Sequence, residues 1–131
     1  MATISQTAEY ALRAAVHLAS MEGQAQTARQ IADATQVPAG YLSKVLQSLA
    51  RAGVVNSRRG MGGGFTLARP PRKIKALEVI NAVDPIRRID ACPLKLREHN
   101  KKLCPLHRKL DDAIAQVERA FATSTVADLV E

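Results

Sequence analysis

Apolar residues recur at helical spacing along most of this chain, and the stretch that breaks the rhythm is rich in glycine. Over residues 41–50, Leu42, Val45, Leu46 and Leu49 fall on one face, the pattern of a helix with one buried side. Gly53 stands just past the last of them, where a left-handed residue closes a helix. Residues 4–20 predict an earlier helix, capped by Thr3 or Ser5, with Ile4, Ala8, Ala11, Leu12, Ala15, Val16 and Ala19 on its apolar face. Between the two, Thr27 caps a short helix with Gln30 in capping-box position, and Ile31, Ala32 and Ala34 face inward. The segment T-Q-V-P-A is then a turn, with Val37 filling its corner and Pro38 at or near the first helical position.

After Gly53 the helical period is lost. V-V-N-S-R-R-G-M-G-G-G-F-T-L-A-R reads as two short strands around a loop, ended by Pro70-Pro71, because a second proline cannot continue a ladder. A helix over 76–83 follows, with Leu77, Val79, Ile80 and Val83 largely inward. Residues 90–103 show no apolar face and read as a surface loop. Leu103 or Cys104 opens a last long helix, in which Leu103, Leu110 and Val117 recur at intervals of seven, as do Leu106, Ala113 and Ala120, and His107, Ile114 and Phe121. That stripe is wide for a helix with so little chain left to cover it. Packing against a second copy uses it fully, through Leu103, Leu106, Leu110, Ile114, Val117 and Phe121; burial against the first helix is the alternative. V-A-D-L-V makes a short capped turn at the end.

The expected architecture is therefore mainly α with a small β-hairpin wing: a winged helix-turn-helix unit plus a long C-terminal dimerisation helix. Its parts are residues 1–83, with the wing at 54–69, a loop over 84–103, and the last helix and turn over 104–131. With only Tyr10, Tyr41, Phe65 and Phe121 as aromatics, the core must be aliphatic and alanine-rich.

Charge adds a partner. The net charge is +7, with seven Arg/Lys against three Asp/Glu up to residue 71 and twelve against nine after it. Such a chain is drawn to polyanions in a salt-dependent way. The exposed side of the second long helix carries Tyr41, Ser43, Lys44, Gln47, Ser48 and Arg51, with no carboxylate among them. The hairpin loop sets Arg58 and Arg59 beside Gly60, Gly62 and Gly63, and glycine lets backbone amides approach phosphate closely. A helix entering the major groove with a wing along the backbone addresses duplex DNA in this way. Ser43, Lys44, Gln47 and Tyr41 are the candidates for base edges, with Arg51, Arg58 and Arg59 as backbone contacts. An ordinary surface helix with a flexible hairpin is the plainer alternative.

No apolar run nears the roughly 20 residues that span a bilayer, and no secretory leader is visible, so the expectation is a cytoplasmic protein with no membrane partner. No nucleophile–base pair, phosphate loop or carboxylate pair stands out, which argues against an enzyme. A winged-helix protein-interaction module is the remaining alternative.

Together these pieces resemble the Rrf2 family of bacterial transcriptional regulators. The resemblance is carried by T-A-E-Y-A-L-R-A near the start, Y-L-S-K-V-L-Q-S-L-A-R-A-G-V-V at 41–55 and R-G-M-G-G-G-F-T-L-A at 59–68. A-L-E-V-I-N-A-V-D at 76–84, Cys92, C-P-L-H at 104–107 and the terminal V-A-D-L-V extend it over nearly the whole chain. It implies a homodimer, commonly a repressor, that binds a palindromic operator in double-stranded DNA. It also implies an iron–sulfur cluster held by cysteines of the loop before the dimerisation helix. Here the outer cysteine positions are Cys92 and Cys104, and the middle one is Glu98. His107 matches the histidine ligand of the iron–sulfur-assembly regulators. Glu9 matches the carboxylate that the nitric-oxide-sensing subgroup supplies from the partner subunit.

Three chemistries for the loop follow. In the first, a [2Fe–2S] cluster sits on Cys92, Cys104 and His107, completed by Glu9 of the partner subunit, Glu98 or His99. In the second, Cys92 and Cys104 form a disulfide under oxidant, and Lys95, Arg97, Lys101 and Lys102 between them suit a reactive thiol pair. In the third, Cys92, His99, Cys104 and His107 bind zinc, although their spacing fits no common zinc motif. The loop can also be purely structural, with no cofactor.

Overall fold

The computed structural model describes residues 4–89 and 104–130. Helix α1 (Gln6–Ser20) begins at Ser5, whose hydroxyl accepts from the Ala8 N–H at 3.1 Å. Helix α2 (Ala28–Thr35) has the complete capping box of Thr27 and Gln30, so two otherwise unpaired backbone donors at its start are satisfied. Helix α3 (Ala39–Arg51) starts after Pro38 and closes at Gly53, whose φ of +79° is the left-handed turn expected there.

Strands β1 (Val55–Arg58) and β2 (Gly64–Leu67) form an antiparallel hairpin with Val55 opposite Leu67 and Arg58 opposite Gly64. A single 3-10 turn, Pro71–Lys73, leads into α4 (Ala76–Val83). The long helix α5 (Pro105–Ala122) is capped by Cys104, and the short α6 (Val126–Leu129) by Thr125. The chain is thus mainly α, with a two-stranded wing and a long C-terminal helix.

The core lies among α1, α2, α3 and α4. Leu42, Val45, Leu46 and Leu49 of α3 meet Ala11, Ala14, Ala15 and Leu18 of α1, with Ile31, Val37, Ile74 and Val79 around them. Four alanines of α1, Ala8, Ala11, Ala14 and Ala15, are wholly buried, and such small side chains let neighbouring helices approach closely. Two outcomes differ from the pattern reading. The buried face of α1 is turned toward Ala14 and Leu18, leaving Leu12 and Val16 half-buried, and Ala34 of α2 is exposed. With so many alanines the sequence has little contrast with which to orient the stripe.

The end of the chain returns to this core. Val126 donates its N–H to the Ile74 carbonyl at 2.8 Å, and its side chain is fully buried. The base of the wing is also extended: Gln26 exchanges both backbone hydrogen bonds with Phe65, at 3.1 and 2.7 Å. The loop before α2 therefore serves as a third partner for the hairpin.

Candidate nucleic-acid interface and sensor centre

Burying Leu42, Val45, Leu46 and Leu49 forces the opposite face of α3 outward. Tyr41, Ser43, Lys44, Gln47 and Arg51 are exposed, and Ser48 is partly so. Arg51 donates to the Ser48 hydroxyl at 3.2 Å, and the Ser43 hydroxyl bonds back to the Ala39 carbonyl at 3.2 Å. Among the described residues, no ion pair engages Lys44, Arg51, Arg58 or Arg59, so their charges remain available to a polyanion. Tyr41 is different. Its hydroxyl is 2.9 Å from the Thr7 hydroxyl, its ring meets Tyr10 edge-on at 5.4 Å, and Arg13 lies over Tyr10 at 5.5 Å. The N-terminal end of α3 is thereby braced on α1, a role that the pattern reading of Tyr41 did not include.

In the wing, Gly60 and Gly62 have φ of +93° and +73°, conformations that L side chains rarely adopt. Gly63 has no room for a side chain, since a Cβ there would lie 2.5 Å from the Arg58 carbonyl oxygen. The loop is thus held compact, with Arg58 and Arg59 exposed beside it.

The second centre is the first turn of α5. The Cys104 thiol is buried and accepts the His107 N–H at 3.2 Å. His107 is the one fully buried side chain of α5, at 2 % exposure. Its Nε2 lies 2.9 Å from the Ile89 carbonyl oxygen. A carbonyl only accepts, so Nε2 carries the proton, and in the neutral ring Nδ1 is left with its electron pair. That Nδ1 is buried with no hydrogen-bond partner. Such an orphan is costly unless something binds it. A histidine that gives one ring N–H to a carbonyl and offers the other nitrogen has the usual arrangement of a metal-ligating imidazole. Cys104 and His107 are thus two donors of the types that a metal or cluster takes.

They do not complete one. Among the described residues, no group of three or more His, Cys, Asp or Glu side chains is placed to hold a metal ion. Cys92, Glu98 and His99 lie outside the described residues, as does Leu103. Glu9 is exposed on α1. Of the apolar stripe of α5, Leu106 and Leu110 are 41 % and 38 % exposed, while Ile114, Val117 and Phe121 are half-buried.

Sequence reasoning missed the groups around this turn. Arg88 grips Asp111 through two parallel bonds of 2.8 and 2.7 Å, and Asp111 also accepts the Ile89 N–H at 3.0 Å. The guanidinium and that amide hold the Asp111 carboxyl down to about 2. The only available signal was the four-residue spacing of His107 and Asp111, which sets both on one face of α5.

A braced helix with an exposed polar face, a compact basic wing and a long helix with a partly exposed apolar stripe define a winged helix-turn-helix regulator. The Rrf2 family, described as iron-dependent transcriptional regulators, matches residues 4–131, and this chain belongs to it. It is 32 % identical over 129 residues to a protein of Aquifex aeolicus (strain VF5) that carries the name of an HTH-type transcriptional regulator, covering 96 % of this chain and 90 % of that one. Among solved structures it is similar to CymR (YrzC), described as the global cysteine regulator of B. subtilis, with a TM-score of 0.78 and 27 % identity over 98 % of this chain and 96 % of that one. T. potens IscR follows with a TM-score of 0.75 and 26 % identity, over 98 % and 85 %. The oxidized form of Staphylococcus aureus CymR has a TM-score of 0.73 and 25 % identity, over 99 % and 97 %. The fold and this kinship match DNA-binding regulators without catalytic activity. Among the described residues, no helix is long and apolar enough to cross a membrane.

Proposed function

We propose that this protein is a homodimeric, cytoplasmic transcriptional regulator, acting as a repressor, that reads a palindromic operator in double-stranded DNA and receives its signal at Cys104 and His107. Ser43, Lys44 and Gln47 address base edges from α3. Arg51, Arg58 and Arg59, with the amides of Gly60, Gly62 and Gly63, hold the phosphate backbone. Tyr41 and Ser48 line the same helix face. The partly exposed α5 stripe supplies the dimer contact, and so sets the spacing of the two reading helices.

The observation that carries the sensor is the buried, unpartnered Nδ1 of His107 in the same helical turn as the buried Cys104 thiol. Residues able to hold a [2Fe–2S] cluster are Cys92, Cys104 and His107, with Glu98, His99 or Glu9 of the partner subunit completing the set. Such a cluster, when bound, supplies a one-electron redox change at the start of α5. Of these residues, Cys104 and His107 are buried at the start of α5, and Asp111 ties residues 88 and 89 to the same helix.

A second reading is supported by the likeness to CymR, one form of which was solved oxidized. In it, Cys92 and Cys104 need no cluster: an oxidant takes two electrons from the two thiols, two protons leave, and a disulfide forms. Zinc on the same cysteines and histidines is the redox-silent variant of this cluster-free reading.

Anaerobic purification with a visible spectrum, and iron, sulfide and zinc per subunit, separates these. Brown protein with stoichiometric iron and sulfide supports the cluster. Colourless protein that gains a Cys92–Cys104 link under oxidant, seen by mass spectrometry, supports the thiol pair. Fluorescence anisotropy on duplexes selected from a random pool tests the DNA reading, and selection of no sequence above background would overturn it.

A further inference from the structure

His107 has a ring orientation that its own helix does not enforce. Its Nε2–H is fixed by the carbonyl of Ile89, a residue outside any helix, at 2.9 Å. Ile89 is in turn held by its other backbone group, since its N–H donates to Asp111 Oδ1 at 3.0 Å. Asp111 stands one turn beyond His107, so α5 grips this one residue at both its N–H and its C=O. The grip is reinforced from the preceding residue, where Arg88 forks onto both Asp111 oxygens and reaches toward Glu118 at 3.8 Å. Bidentate guanidinium–carboxylate pairs fix direction as well as distance.

We propose that Asp111 is the positioning residue of the sensor centre: through Ile89 and Arg88 it holds the His107 ring with Nε2 protonated and Nδ1 free to bind. The inference rests on the reading of Cys104 and His107 as the signal-receiving pair, and it adds the device that sets the ring. Without Asp111, the Ile89 peptide loses its anchor, the carbonyl leaves Nε2, and the ring is free to move its proton or to turn. With Asp111 in place, the electron pair is presented before any ligand arrives, and the ring need not turn at binding. The same clamp makes residues 88–89 move with the first turns of α5. An event at His107 is therefore felt at the end of α4, where the Ile86 N–H also donates to Asn81 at 3.1 Å.

The test uses full-length, reduced, metal-free protein labelled with nitrogen-15. In the wild type, correlation spectra of the His107 ring should show one proton-bearing nitrogen, Nε2, and one bare nitrogen, Nδ1. In Asp111→Ala, both signals should move toward the exchange-averaged position. The Ile89 amide should exchange with deuterium about tenfold faster, as expected for loss of one hydrogen bond to a charged acceptor. A residue that merely stabilised the helix would leave the ring signature in place. Arg88→Gln removes the fork without altering α5, so it serves if Asp111→Ala does not fold, and it should shift the same signals less. An unchanged ring signature with unchanged Ile89 exchange in the folded variants would overturn the proposal. Cobalt(II) added to the wild type reports on the underlying reading separately. A correct ring signature with no thiolate–cobalt absorption would overturn the metal-receiving role of Cys104 and His107 while leaving the positioning by Asp111 in place.

Discussion

Helices α3 and α5 carry apolar stripes of similar regularity, yet the fold treats them in opposite ways. All four stripe residues of α3 are buried to 2 % exposure or less, covered by α1, α2 and α4 of the same chain. On α5 the only fully buried side chain is a histidine, while Leu106 and Leu110 remain exposed. A stripe covered by its own chain stabilises the monomer. A stripe left partly open gains the rest of its burial only when a second surface arrives. Under the proposed function, the first would set the position of the reading residues and the second the distance between two copies of them.

Truncating one leucine on each helix should separate the two roles. Leu46→Ala opens a cavity in the core and should destabilise the fold by about 3 kcal/mol, at every protein concentration, in a urea melt. A loss that shrank as protein concentration rose would contradict it. Leu110→Glu should leave the isolated fold nearly intact but raise the dimer dissociation constant at least about tenfold, since it puts a charge into an apolar contact. Sedimentation equilibrium reads this, and an unaltered dimer would move the interface away from the α5 stripe.

Within the wing, Gly64 and Arg59 should differ in the same manner. Gly64 has φ of +138° and faces the Gln26 carbonyl, where an added Cβ would stand at 2.5 Å. Gly64→Ala should therefore detach the wing from the loop before α2 and weaken DNA binding about tenfold, while the dimer persists. Arg59→Ala removes only a charge beside the glycine loop. It should weaken binding by a smaller factor and lower the salt slope by about one unit, the signature of one lost phosphate contact. An anisotropy titration at several salt concentrations distinguishes the two, and an unchanged slope for Arg59→Ala would exclude a backbone role.

How much of this was legible depended on the kind of signal. The α3 face was readable because large leucines alternate with polar residues. The α1 face was readable only in part, because alanine contrasts weakly with its neighbours. Capping at Thr27 followed from local residue types. The Gln26–Phe65 pairing has no such signature, since it is made by backbone groups of residues far apart in the chain. The Arg88–Asp111 clamp joins residues 23 positions apart, with no periodic pattern to link them. Cys104 and His107 were legible as types at helical spacing. That His107 is buried with one nitrogen committed and the other idle required the fold.

The clamp also gives the smallest expected effect, and one that should divide the molecule along the same line. Asp111 has its pKa held from 3.8 down to about 2, first by the Arg88 guanidinium and then by the Ile89 amide. A carboxyl depressed in the folded state contributes stability that is fully present above its unfolded pKa and is lost as pH falls through the folded one. The contribution of the clamp should therefore be constant above about pH 4 and fade between about pH 4 and pH 2. Asp111→Asn removes the titration, so its stability difference from the wild type should shrink over that window. Amide exchange at Ile89 should accelerate there in the wild type, while amides of the α3 core remain protected. Equal acceleration at both places would mean that acid opens the whole fold at once, and that α5 and α3 are not separable units after all.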